Sequence, residues 1–212
     1  MYVNKFNKET DNLKILEFIR AHNFGTLVTA PQGVPQASHL PFTLESEGEN
    51  NWQLTAHLAK ANFQWKHLQK DSDVLVIFQG PSAYISPRWY DHMNVPTMNY
   101  MAVHVYGKPH IIEDEEALYQ MLKKQIESYE GKHTDEYNID SLPPQFYKRE
   151  VKGLVAVKIT INRMEANFKL SQNRDEKNYR NIIQELEKLP DTQSQSIAAY
   201  MKELKEAQGY KE

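Results

Sequence analysis

Cysteine is absent from this chain, which removes disulfides, thiolate nucleophiles and thiolate metal sites together. The eight glycines all stand apart, so neither a GxGxxG turn nor a P-loop can form, and the usual nicotinamide and nucleotide-triphosphate signatures are missing. No HExxH or GxSxG pattern occurs, and the eight histidines are scattered; neither a metal site nor a hydrolase nucleophile is predicted. No apolar run is long enough to span a bilayer, and the polar segment from Met1 to Asp11 does not read as a secretory signal. A basic excess is lacking too. The formal net charge is −3, with lysines and arginines interleaved among acids, whereas nucleic-acid binders draw much of their affinity from neutralising phosphates. No helix-turn-helix with a basic second helix appears. The charge distribution therefore does not support DNA as a partner, and a soluble cytoplasmic protein is expected.

What is present is globular. A 40% hydrophobic fraction with 11% aromatics over 212 residues can build one substantial core. A helix is predicted from a Thr10 or Asp11 cap to about His22, with Leu13, Leu16 and Phe18-Ile19 as its apolar stripe. Strands are predicted at Phe24–Thr29, Val34–Leu44, Trp52–Leu58, Val74–Phe78, Ala83–Ser86, Asn99–Ile112 and Val151–Phe168. Gly80-Pro81 reads as a turn, and Gly107-Lys108-Pro109 as a break. A hairpin loop is expected at 45–51 and a polar loop at 131–145. Asp114 should cap a helix carrying Ala117, Leu118, Met121, Leu122 and Ile126 on one face. A short helix follows Asn62, and two more are predicted at Tyr179–Leu189 and Ser196–Ala207. Strands joined by short turns, without regular strand–helix alternation, favour an antiparallel barrel with helices outside it. The expected organisation is a barrel domain over 1–173 and a helical appendage over 174–212 packed on it.

Chemistry-bearing residues concentrate between Gln53 and Tyr100. Lys60 and Asn62 put an ammonium beside a helix start, a place that suits a phosphate; the plain alternative is an ordinary cap beside a solvated lysine. Ser38, His39 and His57 lie near strand ends, where an imidazole can meet a ligand or simply satisfy a carbonyl. The run Tyr84-Ile85-Ser86-Pro87-Arg88-Trp89-Tyr90 is rich in aromatics and hydroxyls, fitting a ligand cover, a dimer interface or a local core. Lys169-Leu170-Ser171-Gln172-Asn173 follows a strand and offers amides to a ligand or a cap to a helix.

Several longer motifs occur in order: Ala37-Ser38-His39-Leu40-Pro41, His57 to Asn62 (a HLARAN-like pattern), Phe78-Gln79-Gly80-Pro81, Ala83 to Pro87, Trp89-Tyr90, a VPT-x-NY stretch from Val95 to Tyr100, and Lys169 to Asn173. In these the chain resembles the PaiB family of FMN-binding negative transcriptional regulators, over nearly its whole length. The resemblance implies a mainly β, α+β fold: a six-stranded antiparallel split β-barrel of the FMN-binding type with C-terminal helices. It also implies a homodimer with FMN at the subunit boundary, and repression of sporulation and degradative-enzyme genes. The implied cofactor-binding residues are Ser38, His39, His57, Lys60, Ala61, Asn62, Tyr84, Ser86, Trp89, Asn99, Lys169 and Gln172, with Lys60 and Asn62 at the phosphate. Two departures stand out. Lys60 replaces the usual arginine and loses its bidentate fork, and Met98 replaces a common tryptophan and its flat face.

No residue stands out as a catalytic acid or base. A flavin can perform redox chemistry with only binding and electrostatic tuning from the protein, so an FMN-dependent oxidoreductase with an indirect regulatory role is the alternative. A haem-binding or haem-degrading split barrel is a further one.

Overall fold

The computed structural model describes residues 1–48, 51–68, 73–131, 137 and 139–207. The two predicted loops at 45–51 and 131–145 fall outside the described residues at 49–50, 132–136 and 138.

After the two-residue strand β1 (Lys8–Glu9), helix α1 (Asn12–Ala21) starts where Asp11 Oδ1 accepts the Leu13 N–H at 2.9 Å. Its apolar stripe buries Ile15, Leu16, Phe18 and Ile19, while Leu13 stays 69% exposed. The predicted second strand divides. β2 (Phe24–Thr29) pairs with β3 (Gln36–Pro41), and β4 (Thr43–Ser46) leaves to pair with β5 (Trp52–Ala59). The break falls at the buried Phe42, directly after Pro41, which has no N–H for a ladder.

β6 (Val74–Ile85) and β7 (Thr97–Ile112) are longer than predicted. Gly80-Pro81 does not turn the chain: Pro81 lies inside β6 and costs one ladder donor rather than a change of direction. Gly107 does not break β7 either. A Cβ there would sit 2.3 Å from the Thr160 carbonyl oxygen, so this glycine allows a close approach between strands.

α2 (Glu115–Glu130) has the predicted Asp114 cap, which accepts the Ala117 N–H at 2.8 Å. Met121 and Leu122 are buried, but Ala117 is exposed at the margin of the stripe. Helix α3 (Pro144–Val151) was not predicted, because Pro143-Pro144 reads as loop punctuation. Proline at the first helical position gives up only a donor that has no partner there. β8 (Leu154–Lys169), α4 (Glu176–Glu187) and α5 (Thr192–Ala207) complete the chain.

The sheet order is β3-β2-β6-β7-β8-β5-β4, with β1 added on β8. The registered pairs are antiparallel, and among the described residues the strands number eight against the six expected, because β1 and β4 are short additional ones.

The chain divides into two compact units. One comprises Met1–Phe18, Gln79–Val103 and Glu165–Glu212; the other comprises Ile19–Phe78 and His104–Met164. In the first, Phe18 packs on Phe168 at 5.0 Å, and α4 and α5 bury Ile182, Leu186, Ile197 and Met201. In the second, Phe42 meets Phe78 edge-to-face at 5.6 Å, Leu27, Leu54 and Ile159 are fully buried, and β3 curls to approach β5.

Candidate functional site

In the second unit β5 ends at Ala59 and the chain turns sharply. The Asn62 N–H donates to the Ala59 carbonyl at 2.8 Å, and the Lys60 N–H donates to the Gly153 carbonyl at 2.7 Å. The Trp65 indole N–H donates to the Lys60 carbonyl at 3.0 Å. Lys60 is thus held at both ends of its backbone while its side chain stays exposed. Among the described residues no carboxylate pairs with its ammonium. An exposed cation on an anchored backbone, with no counter-ion among the described residues, is what a phosphate would complete.

Asn62 is the cap the sequence indicates. Its Oδ1 accepts the Gln64 N–H at 3.1 Å, and its Nδ2 donates to Ser38 Oγ at 2.8 Å. The Ser38 hydroxyl accepts that bond and keeps its own hydrogen for another acceptor. The helix so capped is a 3-10 turn of five residues, Phe63–His67. So short a helix has little macrodipole. Attraction for an anion at this turn rests on the lysine charge and the exposed Ala61 backbone.

His39 is exposed on β3, with Nδ1 at 2.9 Å from Thr26 Oγ1 and its ring stacked on Phe24 at 6.3 Å. His57 lies on β5 behind the turn. Burial lowers its pKa, opposed by a hydrogen bond with the Gln125 side chain, and its Nδ1 is buried without a partner. The structure therefore brings Ser38, Lys60, Ala61 and Asn62 together and gives the two imidazoles separate neighbours.

The other expected site residues belong to the first unit. Ser86 caps the short helix Pro87–Trp89 by accepting the Arg88 N–H at 3.2 Å. The Trp89 carbonyl accepts from Asn181 at 3.3 Å. Tyr84 is 54% exposed and Asn99 is fully buried. Asn99 accepts from the Ser171 hydroxyl at 3.1 Å and donates to the Met201 sulfur at 3.5 Å. Gln172 clamps its own turn, accepting from the Leu170 N–H at 2.8 Å and donating to the Phe168 carbonyl. Lys169 Nζ donates to Thr97 Oγ1 at 2.5 Å. Burial, then the nearby Arg174 charge, lower its pKa.

Three partners of the turn escape a reading by motif. Gln64 is 3% exposed, and its Nε2 donates to the Leu27 carbonyl, Thr29 Oγ1 and the Gln36 carbonyl, tying the 3-10 turn to β2 and β3. Trp65 and Gly153 hold Lys60. The signal for Trp65 is chemical: a partly buried indole needs an acceptor.

The sequence model of a family described as "Putative FMN-binding domain" matches residues 1–163. The chain belongs to this family. Within it, the chain is 41% identical over 204 residues to "Protease synthase and sporulation protein PAI 2" of Bacillus subtilis, covering 96% of this chain and 97% of that one. That relationship identifies it as a PaiB-type flavin protein, and FMN as the cofactor of its family. The fold recurs in the FAD and heme binding protein from Mycobacterium smegmatis, at TM-score 0.59 and 12% identity over 77% of this chain and 73% of that one. It recurs again in the conserved hypothetical protein Rv2991 from Mycobacterium tuberculosis, at TM-score 0.58 and 17% identity over 82% and 92%. These likenesses show the architecture alone, an antiparallel split barrel.

Proposed function

We propose that this chain holds FMN with its phosphate at the Lys60-Ala61-Asn62 turn and acts as a negative regulator of transcription in the cytoplasm. The observation that carries the reading is Lys60, anchored by its backbone and without an ion-pair partner among the described residues, within a domain that belongs to an FMN-binding family. Ser38 adds a hydroxyl at the Asn62 amide, and His39 on β3 and His57 on β5 belong to the proposed set, each already in contact with a neighbour of its own. In the first unit, taken by itself, Tyr84, Ser86, Trp89 and Lys169 are the proposed flavin contacts, with Asn99 and Gln172 acting as supports because their side-chain amides are already bonded there. When bound, FMN supplies redox chemistry; the chain's residues hold and orient it. The regulatory part draws on the Bacillus subtilis relative, whose name refers to protease synthesis and sporulation.

Titration of FMN against the chain and its Lys60→Ala variant tests the site. Loss of one charge-assisted contact should weaken binding by about 1.5–3 kcal/mol; equal affinity would remove Lys60 from the site. Gel retardation of promoter fragments at low salt tests direct action on DNA, because phosphate contacts are strongest there.

The net charge of −3 favours a second reading, an FMN-dependent oxidoreductase whose regulatory effect is indirect. Absence of retardation at low salt, with flavin bound, would select it.

A further inference from the structure

A cavity of about 470 Å³ opens between α2 and α3 in the second unit, and the residues of the proposed phosphate turn do not line it. Its walls follow from helical periodicity. Glu115, Leu118 and Tyr119 share one face of α2, and Lys148, Val151 and Lys152 share one face of α3 and its cap. Tyr119 and Tyr147, both in the lining, meet edge-to-face at 5.2 Å.

Two features of the lining are unresolved by the fold itself. The cavity carries the carboxylates Glu115 and Glu116 and the ammoniums Lys148 and Lys152. Yet among the described residues Glu115, Lys148 and Lys152 have no ion-pair partner, and the recorded partner of Glu116 is Gln120. All four residues are exposed to solvent, and opposite charges line one cavity without pairing with each other. The Tyr147 hydroxyl oxygen, in addition, is buried and has no hydrogen-bond partner among the described residues, which costs free energy that an added acceptor would recover. Burial and the two glutamates raise its pKa, so it stays a donor.

A purely cationic ligand would meet two ammoniums, and a purely anionic one two carboxylates. A small molecule bearing both charges satisfies both, and Leu118, Val151 and the tyrosine rings suit an apolar group attached beside them. We propose that this cleft is a second small-molecule site, for a free amino acid with an apolar side chain. The volume lies in the ordinary range for small-ligand pockets.

Calorimetric titration of the full chain with L-leucine tests this, alongside N-acetyl-L-leucine, which lacks the ammonium, and L-leucine methyl ester, which lacks the carboxylate. L-leucine should bind, and each analogue should bind about tenfold or more weakly, the scale of one lost charge-assisted contact. Lys148→Gln, Lys152→Gln and Tyr147→Phe should each weaken L-leucine binding without lowering the melting temperature. The proposal is overturned if L-leucine gives no heat at millimolar concentration, if either analogue matches it, or if all three variants bind it unchanged.

Discussion

His57 sits on β5 with its ring partly buried, and burial lowers its pKa while the Gln125 side chain pulls the other way. The consequence for stability has a definite sign. The unfolded chain binds a proton at the ordinary histidine value of about 6.5, where folded His57 stays neutral. The unfolded state is then favoured as pH falls through that value and on toward the lower folded pKa. Urea midpoints measured at pH 7.5 and pH 5.5 should show His57→Gln losing less stability on acidification than the parent chain. An unchanged slope would mean that His57 titrates normally. His22, also lowered by burial, keeps its own share in both proteins. His57, Lys60 and Asn62 were all visible as residue types in a patterned stretch. Gln64 was not, since its acceptors lie on β2 and at the start of β3, and nothing local distinguishes it from a surface glutamine.

At the scale of elements, punctuation residues were the hardest to read. Gly80-Pro81 and Gly107-Lys108-Pro109 look like interruptions, yet each lies inside a strand. Position 107 demands glycine because β8 backbone occupies the space of a side chain. Gly107→Ala must push the Thr160 carbonyl away, and a loss of about 3 kcal/mol, the upper end for overpacking, is expected in urea unfolding. A loss under about 1 kcal/mol would mean the strands yield easily. The amphipathic helix α2 was legible because a capping aspartate and a periodic stripe agree, two signals that act locally. Helix α3 was hidden because its prolines signal a loop until their place in the first turn is known.

For the whole molecule, the antiparallel class and the family were readable from the order of motifs, whereas the strand number was not. What covers the exposed apolar side chains is a question of assembly. In the first unit Met93 is fully exposed, Val95 is 69% exposed and Tyr84 54%; in the second, Phe24, Val34 and Phe63 are each above 60%. So much apolar surface suits the proposed homodimer. Sedimentation at micromolar concentration should give a dimer of this 24.8 kDa chain, and a monomer would overturn the proposal. The hydrogen bond from the Trp65 indole to the Lys60 carbonyl bears on observation as well as on structure. Indole emits light at wavelengths where oxidised flavins absorb, and energy transfer falls steeply with separation. The turn proposed to grip the phosphate therefore carries its own fluorophore, so its occupancy can be followed optically in the unlabelled protein.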